Sequence, residues 1–177
     1  MKRADILAHI QQNVERLSDT DGTAYPYIPL HQKPSPSVTA LKEVMLLLRN
    51  VLFPGFFGEA GEARRSSMSY DTGVHLEQIY DLLQEQIYNG LCFEAESAAE
   101  AKIRSSQIAL DFIDRLPHVK HLLSTDVKAI MDGDPAAKSA SEVIFCYPAM
   151  VAFLHQRVAH ELFKLHVPVI PRIMKKR

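Results

Sequence analysis

The segment from Val38 to Phe53 constrains this chain most. Val38, Leu41, Val44, Met45, Leu48, Val51 and Leu52 recur at intervals of three and four. That spacing gathers them on one broad face of an α-helix and would scatter them over both faces of a strand. A helix this apolar needs burial on more than one side, so neighbours of the same periodicity must supply it. They are present. Ile6, Leu7, Ile10, Val14 and Leu17 predict a helix from about Ala4 to Leu17. Val74, Leu76, Ile79, Leu82, Leu83 and Ile87 predict one that starts at Asp71 or Thr72 and stops at Asn89-Gly90. Ser97, with Glu100 three residues later, has the capping-box pattern. The helix it opens carries Ile103, Ile108, Leu110, Phe112 and Ile113 and is expected to end before Pro117.

Val119 to Met131 predicts a separate helix closed by Gly133. Asp134 before Pro135 then reads as a fresh helix start, with the aspartate as cap and the proline at the first helical position. Pro148 begins the next helix, which places Arg157 and His160 three residues apart on one face. The run Val143 to Tyr147 favours β-structure, but it follows a helix start and precedes proline, so it reads as helix. Ser35 or Ser37 can cap the helix at Val38, with Pro36 at or near its first turn. The expected architecture is therefore all-α, a bundle of about seven or eight helices with no sheet. Its parts are 1–36 (a helix and a linker), 37–167 (the helical domain) and 168–177 (a short helical connection). Ser18 to Pro36 and Gly58 to Ser69 read as loops.

Composition removes several function classes. The chain has 177 residues, 47% hydrophobic and 23% charged, with a formal charge of −1. That balance gives no electrostatic case for nucleic acid or an anionic membrane. No apolar run approaches the about 20 residues that a bilayer span needs. The basic start, Met1-Lys2-Arg3, is followed by a polar helix rather than the apolar core of a signal peptide, so the cytoplasm is the expected location. Cys92 and Cys146 sit in apolar surroundings and read as two buried free thiols. Eight histidines invite a metal reading. However, His155 and His160 are five residues apart, so their side chains point about 140° apart on a helix. His118 and His121 have no Cys-x-x-Cys or His-Glu-x-x-His beside them. No metal site is expected, and no glycine-rich phosphate loop is present.

Helix caps and apolar spacing do not account for one combination: Asp134-Pro135-Ala136, then Pro148, then Arg157-Val158-Ala159-His160. With Leu52-Phe53-Pro54-Gly55-Phe56-Phe57-Gly58, Gly73-Val74-His75-Leu76 and Leu82 to Ile87, this resembles the N-terminal helical domain of the serine O-acetyltransferase family, from about Ser35 to Lys164. In that family the helices lead into a left-handed parallel β-helix. The seven glycines here form no hexapeptide series, so that β-helix is expected to be missing from this chain.

The resemblance implies the reaction of acetyl-CoA with L-serine to give O-acetyl-L-serine and CoA, in cysteine biosynthesis. Acetyl-CoA is then a co-substrate, and no other cofactor is implied. It implies that Asp134 binds the amino group of serine, and of the inhibitor cysteine, through a charge-assisted hydrogen bond. Arg157 and His160 match a helix near the base of the family's β-helix and are expected to give structural support, the arginine by pairing with a carboxylate and the histidine by capping or hydrogen bonding at a packed boundary. Glu161 departs from the aromatic residue that many relatives carry. The catalytic histidine and aspartate of the family lie on the β-helix, so no catalytic residue is expected here. The implied partners are serine, acetyl-CoA, a second copy through the N-terminal helices, and cysteine synthase through a tail absent from this chain. The alternative is a stand-alone helical oligomerisation module without catalysis.

Overall fold

The computed structural model describes residues 3–18, 34–57, 65–93 and 97–175, with 65–67 described by their backbone alone. Among these are seven helices and no strand: α1 (Arg3–Leu17), α2 (Val38–Leu52), α3 (Arg65–Phe93), α4 (Ala98–Gly133), α5 (Ala140–Cys146), α6 (Pro148–Lys164) and α7 (Ile170–Lys175). The chain divides into two units, residues 1–32 and 33–177. Much of the expected loop Ser18–Pro36 and the start of the expected loop Gly58–Ser69 lie outside the described residues.

In the first unit, α1 carries its apolar residues where the spacing predicts, and Ile6, Leu7, Ile10, Val14 and Leu17 are all exposed. The second unit is built around α4, which packs against α3, α5 and α6, while α2 packs on α3 and α7 on α6. Leu41, Val44, Met45, Leu48, Val51 and Leu52 of α2 are buried. Most of the surplus apolar surface of this helix is therefore consumed within the unit, and Val38 and Leu46 remain exposed on it. The start of α2 is fixed twice. Ser37 Oγ accepts the Ala40 N–H at 3.2 Å, and the Ser37 N–H donates to Oε1 of the buried Gln86 on α3 at 2.6 Å. Pro36 sits one residue before that cap. At the other end Gly55 takes a φ of +81°, a conformation side chains disfavour, and turns the chain. The turn lets Phe56 and Phe57 meet Phe145 of α5, with ring centroids 5.8 and 5.1 Å apart.

Three helix boundaries differ from expectation, each for a local reason. Helix α3 begins at Arg65, ahead of Asp71 and Thr72. The Thr72 hydroxyl donates to the Met68 carbonyl one turn back, so this residue rides inside the helix instead of capping it. At the far end α3 runs through Asn89-Gly90 to Phe93. Gly90 is not a stop signal there: a Cβ on it would lie 3.3 Å from the Pro168 carbonyl oxygen, so glycine allows the α6–α7 connection to approach. Helix α4 is continuous from Ala98 to Gly133, with Pro117 inside it, where two helices were expected. Pro117 is exposed while Leu116 and Val119 beside it are buried, so the ring and the missing donor face solvent and core contacts on the other side hold the helix together.

Ser97 caps α4 as expected, with Glu100 turned back onto its hydroxyl and not onto its backbone N–H. Ser97 Oγ accepts the Glu100 N–H at 3.4 Å and donates to Glu100 Oε2 at 2.7 Å. Helix α6 ends in a Schellman arrangement. The Val167 N–H bonds to the Leu162 carbonyl, the His166 N–H bonds to the Phe163 carbonyl, and His166 takes the left-handed position at φ 57°. Cys92 is buried as expected, but Cys146 is exposed, because only Val143 of the short α5 reaches the core fully.

Candidate functional site

Asp134 does not start a helix. It caps the C-terminus of α4, its N–H bonding to the Ile130 carbonyl at 2.9 Å while its own backbone is extended. The residues Asp134 to Ala137 then form a turn, closed by the Ala137 N–H on the Asp134 carbonyl at 3.0 Å. Helix α5 starts later, at a cap supplied by Ser139, whose Oγ accepts the Glu142 N–H at 3.1 Å. The expectation that Asp134 is an N-cap with Pro135 at the first helical position is thus corrected. Proline forces the residue before it into an extended conformation, which serves a turn as readily as a cap.

The carboxylate of Asp134 is half-buried and held at both oxygens. Oδ1 accepts the Ala136 N–H at 2.9 Å, and Oδ2 accepts the Tyr147 hydroxyl at 2.8 Å. The Ala136 amide and then the Tyr147 hydroxyl hold the carboxyl below the usual aspartate range, against a smaller opposing effect of burial. Asp134 is therefore a fixed anion on the surface at the α4–α5 junction, with lone pairs to spare for a cation.

Arg157 and His160 line one shallow cleft of about 160 Å³ together with Leu122, Gln156 and Glu161. Arg157 has a carboxylate partner, as expected. Its Nε donates to Asp126 Oδ2 at 2.6 Å, and a second bond from its terminal nitrogen to Oδ1 makes the pair bidentate across α6 and α4. His160 is exposed. The hydrogen bonds of Asp134 and those of Arg157 share no residue. Among the described residues, no group of three His, Cys, Asp or Glu could hold a metal ion. No helix among them is long and apolar enough to cross a membrane.

No family model matches the chain. A plasmid-encoded serine acetyltransferase of Synechococcus elongatus is 37% identical over 147 residues, which are 79% of this chain and 46% of that protein. The chain is a homologue of the serine acetyltransferases. A solved serine acetyltransferase 1 of Entamoeba histolytica, in complex with L-cysteine, superposes with a TM-score of 0.60 at 25% identity, over 92% of this chain and 53% of that one. The native form of the same enzyme gives 0.58 at 26% identity, over 93% and 54%. The homologue thus spans about half the length of the serine acetyltransferases it matches, and the half it spans is their helical N-terminal domain.

The sequence of this serine acetyltransferase homologue left the partners of two residues hidden. Glu161 is buried to 4% exposure, yet it bonds Arg115 of α4 at 2.9 Å and Lys164 at 3.0 Å. Burial pushes its carboxyl up, but the hydrogen bonds and charges of Lys164 and Arg115 outweigh that and leave it below the usual glutamate range. Its i,i+3 spacing from Lys164 was readable, whereas Arg115 is 46 residues away in the chain. Tyr147 is the other. It lies thirteen residues from Asp134, and no spacing rule links a turn residue to a tyrosine beyond the next helix.

Proposed function

We propose that this chain is the N-terminal helical part of a serine O-acetyltransferase, in which acetyl passes from acetyl-CoA to the hydroxyl of L-serine for cysteine biosynthesis. Asp134 accepts a hydrogen bond from the serine ammonium, and L-cysteine competes for the same carboxylate. The observation that carries the reading is the state of Asp134 within the homologous region. It is a half-exposed carboxylate fixed at both oxygens, at the Asp-Pro-Ala turn. A cap alone needs one anchored oxygen, while an ammonium receptor benefits from two. The Entamoeba histolytica relative solved with L-cysteine adds support for an amino-acid ligand.

The general base and the acetyl-CoA site belong to the β-helix that the family resemblance implies, so residues 1–177 alone turn over no acetyl-CoA with serine. Arg157 fastens α6 to α4 and supports the end of the domain from which the β-helix would continue. Cytoplasmic location and contact with cysteine synthase belong to this reading of the longer enzyme.

The test is Asp134→Asn in the enzyme joined to its catalytic portion. Asparagine keeps an acceptor for the turn and removes the charge. The expected result is a raised serine KM and weaker cysteine inhibition at an almost unchanged Tm. Unchanged serine kinetics and unchanged cysteine inhibition would refute the assignment of Asp134. Activity of residues 1–177 alone at rates typical of enzymes, about 1 per second or more, would refute the division of labour.

A second reading, a helical self-association module, is favoured by the exposed apolar face of α1. It is compatible with the first if the two roles reside in one longer protein.

A further inference from the structure

We infer that Tyr147 is a positioning residue for the Asp134 carboxylate, an inference that rests on the reading of Asp134 as the ammonium acceptor. An aspartate on a turn has two soft side-chain torsions. The Ala136 amide on Oδ1, at 2.9 Å, restrains one oxygen from within the same turn. The Tyr147 hydroxyl on Oδ2, at 2.8 Å, fixes the plane of the group from another element. A carboxylate offers about four lone-pair sites. With one used on each oxygen, one remains on each for a ligand ammonium.

Tyr147 is suited to this task by its own restraints. Its N–H closes α5 on the Val143 carbonyl at 3.2 Å, and its extended backbone, φ −84° and ψ 116°, leads directly into Pro148 at the start of α6. Proline disfavours the helical region for the residue before it, so the backbone of Tyr147 is held independently of its hydroxyl. The ring packs partly against the core. Asp134, at the end of α4, is thereby referenced to the α5–α6 junction as well as to its own turn. The hydroxyl stays a donor: the bond to Asp134, followed by burial and the charges of Asp134, Glu142 and Cys146, pushes its ionisation above the usual tyrosine range.

A mere clip between two loops would show in stability, whereas a positioning group shows in substrate affinity. The test compares Tyr147→Phe, Asp134→Asn and the double variant with the parent, in the enzyme joined to its catalytic portion. Phenylalanine keeps the ring and deletes one bond. The expected result for Tyr147→Phe is a serine KM raised roughly three- to tenfold with kcat within about twofold and Tm within about 2 °C. The double variant should be no worse than Asp134→Asn alone, because the tyrosine acts only through the aspartate. In residues 1–177, carboxyl-carbon NMR of labelled aspartate should show the Asp134 titration moving up in Tyr147→Phe. An unchanged KM in Tyr147→Phe beside a raised KM in Asp134→Asn would overturn the inference and leave the Asp134 reading standing. An unchanged KM in Asp134→Asn would overturn both. A Tyr147→Phe chain that loses its helical circular dichroism, or that loses Tm with no change in KM, would reduce Tyr147 to a structural clip.

Discussion

Glu161 illustrates how charge is managed inside this domain. A buried carboxylate is costly without partners, and here Arg115 and Lys164 supply them while keeping part of their own surface in water. Because its folded-state value lies below the unfolded value of about 4.3, the group contributes stability that is fully present above that pH. The contribution is lost as pH falls through the folded-state value. Replacing Glu161 with glutamine should lower stability at neutral pH by about 1–2 kcal/mol, a moderate figure because both cations can re-solvate. It should also flatten the acid side of the Tm-against-pH profile. A profile identical in shape to the parent's would mean that the ion pairs are electrostatically idle. The sequence marked position 161 only as a departure from the aromatic residue of many relatives. The partner that makes glutamate tolerable there is brought in by the tertiary packing of α4 on α6, and local spacing carries no trace of it. Asp134 shows the converse: its carboxylate stood out in the sequence while its geometry was misassigned, since one Asp-Pro pair satisfies both a helix start and a turn.

At the scale of elements, the caps were readable because their chemistry is local. Ser37, Ser97 and Pro148 act where the pattern places them. The failures came where a local breaker met tertiary support. Pro117 would end an isolated helix, but inside α4 the burial of Leu116 and Val119 outweighs it. Pro117→Ala should therefore restore a backbone donor and raise stability, by about 1–3 kcal/mol. That corresponds to a Tm gain of roughly 2–4 °C per kcal/mol in a chain of this size. A drop in Tm would show that the fit of α3 and α6 against α4 depends on the proline. Ser97→Ala should cost about 1 kcal/mol by freeing the first turn of the same helix, read out by urea denaturation. No loss there would mean that Glu100 and water suffice.

For the whole molecule, the all-α class followed from periodicity, because a 3.6-residue repeat sustained over many segments has no strand-based solution; the seven helices among the described residues fall within the expected seven or eight, though two expected helices merge into α4. How the helices sit was not legible, since any apolar stripe can be buried against any other. The clearest unspent surface is the face of α1, with Ile10 at 52% exposure and Leu17 at 79%. Ile10→Asp should weaken self-association of the full chain at least about tenfold in sedimentation equilibrium, a change of about 1.4 kcal/mol. It should leave the melting of the second unit unaltered. A parent chain that stays monomeric at high concentration would sink this expectation.

The seating of α7 on α2 and α3 also bears on the order in which the chain acquires its structure. A helix of six residues has no standing of its own, and its dock on α2 closes a loop of roughly 120 residues, an entropic toll that rises with the logarithm of loop length. The neighbouring pairs α2–α3 and α3–α4 close far shorter loops and can assemble early. Helix α7 can join α6 early, across a short connection, while its seat on α2 and α3 is then the last contact to form and the first to part. Its amide protons should exchange through a partial opening well below the global unfolding free energy, so that they time the completion of the fold.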